Sequence, residues 1–319
     1  RRPRRPQVMK RSVWTAPAVE RAAATLLASL PATYRPAVDF QLLTRESGSV
    51  RHDLPIWVST PHIIRWSDAY GPVQRHDVPG VQGAFVLSNV LAVDECEQIL
   101  RLSEAMGYTE DAPVSLGRNV RRNENCVWLA DDSLWLPIWK RIAAYMPPSS
   151  APHGGRPVGL NQRWRLYKYG PDDIFRLHTD GSWPGSKADP TSGSVVRDAY
   201  GDRWSQLTFL IYLDDDYEGG ETSFLVDELG RAVMPSGGRA PPGSELRGVR
   251  VASRGSVLCF YHGEHELSPL HEGSLVTRGV KHIVRSDVLC MRTNPNPNPN
   301  PNPNPNPNPN PRPDPHQVD

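Results

Sequence analysis

Arg163-Trp-Arg-Leu-Tyr-Lys-Tyr169 alternates with a period of two, and Gln206 to Leu213 does so over much of its length. That period belongs to a strand, where successive side chains point to opposite faces and aromatic or branched residues fit well. Thr222–Val226, Val249–Ala252, Ser256–Tyr261 and Lys281–Met291 are further strand candidates. Short strands parted by Gly- and Pro-rich turns favour a β-sandwich or jelly roll over a parallel α/β sheet. The expected class is mainly β (α+β), with a double-stranded β-helix (jelly roll) core at residues 161–293.

Upstream of that core, residues 79–160 are expected to give helical support. Gly83 to Leu91 has the pattern of a strand entering a turn, and Asp94 then starts a helix, with Glu97 three residues on as a capping-box partner. Cys96, Ile99, Leu100 and Met106 supply its apolar face, and Gly107 is a natural stop. A second helix is expected from Ser133 to Tyr145, ending before Pro147-Pro148. Arg118 to Asp132, dense in Arg, Asn and Asp, suits a loop or short strand. Asp227 to Gly248, rich in Gly, Pro and Arg and without periodicity, is expected to form a mobile loop.

At the ends the patterning fades. Residues 1–78 have weak periodicity and many turn formers, which suits an irregular extension or leader. Within residues 1–30, Glu20 is the one acid among many Arg and Ala, a balance that suits an organelle transit peptide or another basic leader. Residues 294–319 hold nine consecutive Asn-Pro pairs from Asn294 to Pro311. Every second amide there lacks its N–H and each Asn precedes Pro, so helix and sheet are both disfavoured. As polyproline II the repeat would extend ~55 Å; its roles as spacer, as ligand of a proline-recognising groove and as self-substrate all stay open.

The charge is near balance, 36 basic residues against 35 acidic, so no global field favours nucleic acid or an anionic membrane as partner. No apolar run approaches the ~18 residues of a spanning helix. A hydrophobic share of 38% is enough for a sizeable core. Cys96, Cys126, Cys259 and Cys290 are scattered without CxxC or zinc-type spacing, a usage that favours a reducing compartment over a disulfide scaffold.

The chemistry begins at His178-Thr-Asp180, directly after an expected strand. Residues two apart on a strand share a face, so both side chains can reach one metal ion. Two imidazoles and one carboxylate on one face leave coordination positions open, the donor set of non-haem iron(II) oxygenases. For the second imidazole, His262, His265, His271 and His282 all lie in the following strand-like region.

The segment His271-Glu-Gly-Ser-Leu-Val-Thr-Arg-Gly-Val-Lys281 resembles the end of the prolyl 4-hydroxylase family of iron(II)- and 2-oxoglutarate-dependent oxygenases. Tyr169, His178-x-Asp180 and Gly219-Gly-Glu-Thr222 match earlier motifs of that family in order, and the resemblance runs from about Gly83 to Met291. It implies that His178, Asp180 and His271 hold Fe(II), and that Lys281 anchors the far carboxylate of 2-oxoglutarate. Tyr169 and Thr222 match positions whose hydroxyls contact that co-substrate. Arg285, which shares strand parity with Lys281, is the alternative anchor. Phe175 stands where relatives acting on collagen-like substrates often carry tyrosine, so the chain looks like a less characterised branch.

The resemblance implies a dioxygenase that couples conversion of 2-oxoglutarate to succinate and CO2 with hydroxylation of a C–H bond, ascorbate serving as reductant. A peptidyl residue such as proline, in a peptide or protein that is itself proline-rich, is the first expected substrate. A small molecule is the alternative, and a non-catalytic jelly-roll module binding proline-rich segments is a further one. Nucleic acid is less attractive, since relatives that demethylate it usually anchor the co-substrate with arginine. Arg121, Arg122, Asn123, Trp128 and Trp183 are candidates to border the cleft, and of Arg163 and Trp164, on opposite strand faces, at most one points inward.

Overall fold

The computed structural model describes residues 27–48, 50–67, 71–111, 120–148, 154–236, 239–251 and 253–292. The Asn-Pro repeat and residues 1–26, most of the stretch expected as a transit peptide or basic leader, lie outside these residues. Strands β1 (Phe40–Glu46), β2 (Leu54–Ser59), β3 (Gln74–Asp77) and β4 (Phe85–Ser88) lead into helix α1 (Val93–Met106). β5 (Arg121–Arg122) and β6 (Glu124–Leu129) separate it from α2 (Asp132–Ile142), which tightens into a 3-10 turn over Ala143–Tyr145. β7 (Gly154–Leu160), β8 (Arg163–Tyr169), β9 (Ile174–His178), β10 (Lys187–Asp189), β11 (Ser194–Val196) and β12 (Arg203–Tyr212) follow. The chain continues through β13 (Tyr217–Gly219), β14 (Thr222–Val226), β15 (Glu245–Val249), β16 (Val257–Tyr261), β17 (His271–Gly273), β18 (Val276–Gly279) and β19 (Lys281–Arg292).

The core is a jelly roll. In the major sheet β8, β19, β12 and β16 are neighbours in that order, and in the minor sheet β15, β14, β17 and β9 are. Following the chain, β8 lies in the major sheet, β9 in the minor, β12 in the major, β14 and β15 in the minor, β16 in the major, β17 in the minor and β19 in the major. That repeated crossing gives the double-stranded β-helix. The major sheet is extended on one side by β6, β2 and β1 and on the other by β4 and β3.

Alternation along the strands builds two cores on the two faces of the major sheet. Phe209 and Ile211 of β12, with Trp164, Leu166 and Val284, pack outward against Ile99, Leu102, Leu134 and Ile138 of the helices. Leu210 and Tyr212, one residue out of phase, face inward with Tyr167, Tyr169 and Ile283 towards Phe224 of the minor sheet. The run Leu207–Leu213 is therefore buried on both faces. All four cysteines are buried and none forms a disulfide.

Several sequence expectations need correction. Within residues 27–78 the chain is not an irregular extension: β1 and β2 form an antiparallel pair, and β2 joins β6 in parallel. Apart from Phe40, β1 is exposed or half-buried, so no clean apolar alternation marks it. Helix α1 starts one residue earlier than Asp94, with Ala92 as cap. Its reciprocal bond comes from Glu95, whose Oε2 accepts from the Ala92 N–H at 2.8 Å, while Glu97 instead pairs with Arg101. Asp131 caps α2 by accepting from the Ser133 N–H at 2.8 Å, so this helix also begins one residue early. Of the two readings open for Arg118 to Asp132, the described residues 120–132 take the strand one over β5 and β6. The expected loop Asp227–Gly248 ends in strand β15, which lies upstream of the expected Val249–Ala252. Its charged, exposed sequence fits an edge strand paired with β14 alone.

Candidate metal centre and cleft

His178 closes β9 and His271 opens β17, and the two lie directly opposite in the antiparallel register of those strands. Asp180 follows two residues beyond His178, just past the strand end. The three side chains offer ligand atoms that all lie within 4.8 Å of one another. His178 Nε2 is 3.7 Å from Asp180 Oδ1, and His271 Nε2 is 3.5 Å from Asp180 Oδ2. Each imidazole has its other nitrogen on a backbone carbonyl, His178 Nδ1 on Arg176 O at 2.8 Å and His271 Nδ1 on Pro269 O at 3.2 Å. A carbonyl only accepts, so both Nδ1 atoms carry the proton and both Nε2 lone pairs face Asp180.

Electrostatics hold this set ready for a cation. Burial, and for His178 also the neighbouring imidazole, keeps both histidines below their ordinary pKa and therefore neutral. Burial would raise the Asp180 carboxyl, but the Arg285 guanidinium beside it holds the group well below the usual carboxylate range. Two neutral nitrogen donors and an ionised oxygen suit Fe(II). Phe175 stacks on the His178 ring at 3.6 Å between centroids, and Phe260 meets the His271 ring edge-on at 4.6 Å.

Of the other histidines, His262 is buried between Thr208 and Ser205, His265 stacks on Tyr261, and His282 pairs with Asp214. Only His271 faces His178 and Asp180 among the four.

One cleft holds both the metal ligands and the expected co-substrate contacts: Tyr169, Thr222 and Lys281 line it together with His178, Asp180 and His271. Lys281 and Arg285 share a face of β19, about 13 Å apart along the backbone at ~3.3 Å per residue. Arg285 belongs to the metal end, its Nη1 2.9 Å from Asp180 Oδ1. Lys281, paired with Tyr169 across β8 and β19, occupies the other end. Its Nζ donates to Gly220 O at 2.6 Å and lies 5.4 Å and 5.3 Å from the Tyr169 and Tyr212 ring centroids. Among the described residues no carboxylate forms a direct ion pair with it, Asp214 and Glu221 acting only from further off, and burial lowers its pKa to about 8. A buried ammonium with one carbonyl partner has donors to spare for an anion. The Thr222 hydroxyl is held by the Tyr212 hydroxyl at 2.9 Å.

Gly220 makes this end possible. At φ +67° it sits where L side chains are strained, and a Cβ would lie 2.9 Å from Val276 Cγ2 and 3.3 Å from Lys281 Cδ.

The other cleft candidates divide. Arg121 lies behind the cleft wall, over the rings of the lining residues Tyr167 and Phe175 at 4.6 Å and 4.7 Å, and is not itself a lining residue. Asn123 is buried and holds the Arg121 Nε at 2.7 Å. Arg122 is not among the lining residues. Trp128 and Trp164 pack against each other in the outer core, away from the cleft, and Arg163 pairs with Glu46. Trp183 lies 6.0 Å from the Arg165 guanidinium, outside the lining residues. Sequence reasoning missed Thr208 and Tyr212, which reach the site through the register of non-adjacent strands, and Tyr167, which the period of two puts on the face of Tyr169.

No family model matches the chain, and no curated protein does. Solved structures with a similar fold include a viral collagen prolyl hydroxylase from Paramecium bursaria Chlorella virus-1 in complex with 2-oxoglutarate, 16% identical, covering 69% of this chain and 97% of that one at a TM-score of 0.40. A Pseudomonas putida prolyl-4-hydroxylase is 13% identical over 66% and 94% of the two chains, with a TM-score of 0.36. A Trichoplax adhaerens prolyl hydroxylase, bound to a peptide fragment of hypoxia inducible factor, is 13% identical over 65% and 83%, with a TM-score of 0.39. Overlaps this shallow carry no assignment of activity, which rests on the side chains themselves.

Proposed function

We propose that the chain is an iron(II)- and 2-oxoglutarate-dependent dioxygenase that hydroxylates a C–H bond, first of all in a peptidyl residue such as proline. The observation that carries this reading is the pairing, in one cleft, of a neutral-His, neutral-His, carboxylate set with a buried lysine that forms no direct ion pair among the described residues. A structural metal site would have no use for the lysine, and a proline-binding module would have no use for the metal donors.

Each residue then has a definite task. His178, His271 and Asp180 hold Fe(II), which in such a site supplies dioxygen chemistry coupled to decarboxylation of the 2-oxo acid. Lys281 binds the distal carboxylate of 2-oxoglutarate, with the Thr222 and Tyr169 hydroxyls beside it. Phe175 and Phe260 shield the imidazoles from water. Arg285 is spent on Asp180, which favours Lys281 as the anchor.

Succinate formation tests the reading. The protein, incubated with Fe(II), 2-oxoglutarate, ascorbate and a peptide panel, is expected to release succinate and to add one oxygen to a peptide by mass spectrometry. The panel includes an Asn-Pro repeat peptide, which tests the tail as substrate. Peptide binding without succinate would instead identify a non-catalytic module, and oxygen gained only by small molecules would overturn the peptide assignment.

A further inference from the structure

We infer that Thr208 and Arg285 are positioning residues that clamp Asp180 from both sides and fix the carboxylate for the metal, an inference that rests on the metal reading above. Thr208 Oγ1 donates to Asp180 Oδ2 at 2.7 Å, and Arg285 Nη1 lies 2.9 Å from Oδ1. The two donors come from neighbouring strands: Thr208 of β12 is paired with Asp287 of β19, two residues from Arg285 on the same face. With one oxygen held by each strand, the carboxylate cannot rotate about its last bond.

The hydroxyl arm of the clamp has a fixed direction. Asp180 is ionised and only accepts, so the single Thr208 proton goes to it. His262 Nδ1, 2.9 Å from Thr208 Oγ1, must then donate to that oxygen. Neutral His262 carries one ring proton, so its Nε2 accepts from the Ser205 hydroxyl at 2.9 Å. Ser205 Oγ in turn accepts from the Trp183 N–H at 2.8 Å. The turn after Asp180 is thereby tied back to Asp180 itself through Ser205, His262 and Thr208. Thr208, Ser205 and His262 are all buried, so no water competes for these bonds. The guanidinium arm is steadied by Asp287, 3.5 Å from Arg285 Nη2.

Partners that orient a metal ligand typically contribute about 10- to 100-fold in affinity. The test uses Co(II) as an oxygen-stable probe, read by calorimetry and by its visible ligand-field bands, with thermal unfolding as a check on folding. Thr208→Val keeps the shape and every charge but removes the donor; it is expected to weaken Co(II) binding about 10-fold or more and to shift the bands. Thr208→Ser keeps the hydroxyl and is expected to restore both. Arg285→Lys, which keeps the charge but loses the fork, is expected to weaken binding as well, and it decides the matter if Thr208→Val does not fold. His178→Ala serves as the reference for the metal site. Wild-type affinity and bands in Thr208→Val and Arg285→Lys, with binding lost in His178→Ala, would overturn the clamp and leave the metal site standing. Equal losses in Thr208→Val and Thr208→Ser would also overturn it. Unchanged binding in His178→Ala would overturn the metal reading instead.

Discussion

His271 lies directly across the β9–β17 ladder from His178, with ring centroids 4.3 Å apart. The pairing register of two short strands thus brings together residues ninety-three positions apart in the chain. Because the side-chain period is two, a slip of one residue would turn one of the imidazoles away. Each ring is further locked by its Nδ1 bond to a backbone carbonyl. Substituting either by alanine removes a donor outright. His178→Ala and His271→Ala are each expected to weaken Fe(II) or Co(II) binding by more than the ~100-fold limit for an outer partner, measured by anaerobic calorimetry.

Lys281 makes a pH prediction. Its folded pKa is about 8, against an ordinary 10.5, so in the metal-free protein it loses its proton above pH 8. If the ammonium binds the distal carboxylate, the affinity for 2-oxoglutarate is expected to fall about tenfold per pH unit beyond that point. Between pH 8 and 10.5 the unfolded chain still holds a proton that the folded chain has released. Stability from this group therefore rises with pH across that window. Lys281→Met is expected to abolish both effects, read by calorimetry and by urea unfolding.

Gly220→Ala tests how the lysine is seated. The left-handed backbone alone costs an alanine ~1–2 kcal/mol, and the new Cβ would press on Lys281 Cδ at 3.3 Å. Weaker 2-oxoglutarate binding with unchanged Co(II) affinity is expected, since Gly220 touches the cation end of the cleft and not the metal end.

Far from the cleft, Glu95 and Arg141 join the two helices through a doubly hydrogen-bonded ion pair of 2.6 Å and 2.7 Å. Glu95 is fully buried and also accepts from the Ala92 and Ser67 N–H groups. Breaking a buried pair on one side typically costs ~3–5 kcal/mol. Glu95→Ala is expected to lower unfolding stability by about that much in urea, while the folded fraction binds Co(II) as the wild type does.

What could be read in the sequence followed from locality. His178 and Asp180 sit two apart at one strand end, so their pattern is local, and Lys281 is marked by the continuous segment His271–Lys281 that carries the resemblance. Thr208 and Arg285 are seventy-seven residues apart and meet at Asp180 only because β12 and β19 pair in one register. No local pattern reports that register, so Arg285 could be read only as an alternative anchor. β1 escapes for a different reason: a strand on the sheet edge with one buried residue, Phe40, shows little of the apolar alternation by which strands are recognised. In α1 the capping-box spacing was correct but its phase was not, because Ala92, which has no side-chain acceptor, occupies the cap.

The central claim is that His178, Asp180, His271 and Lys281 together bind Fe(II) and 2-oxoglutarate. Its most direct test is anaerobic absorption spectroscopy of the Fe(II)-loaded protein during titration with 2-oxoglutarate. A weak visible charge-transfer band is predicted to grow in and saturate. It should be lost in His178→Ala and should need far more 2-oxoglutarate in Lys281→Ala. No band in the wild type, or an unchanged band in His178→Ala, would contradict the account.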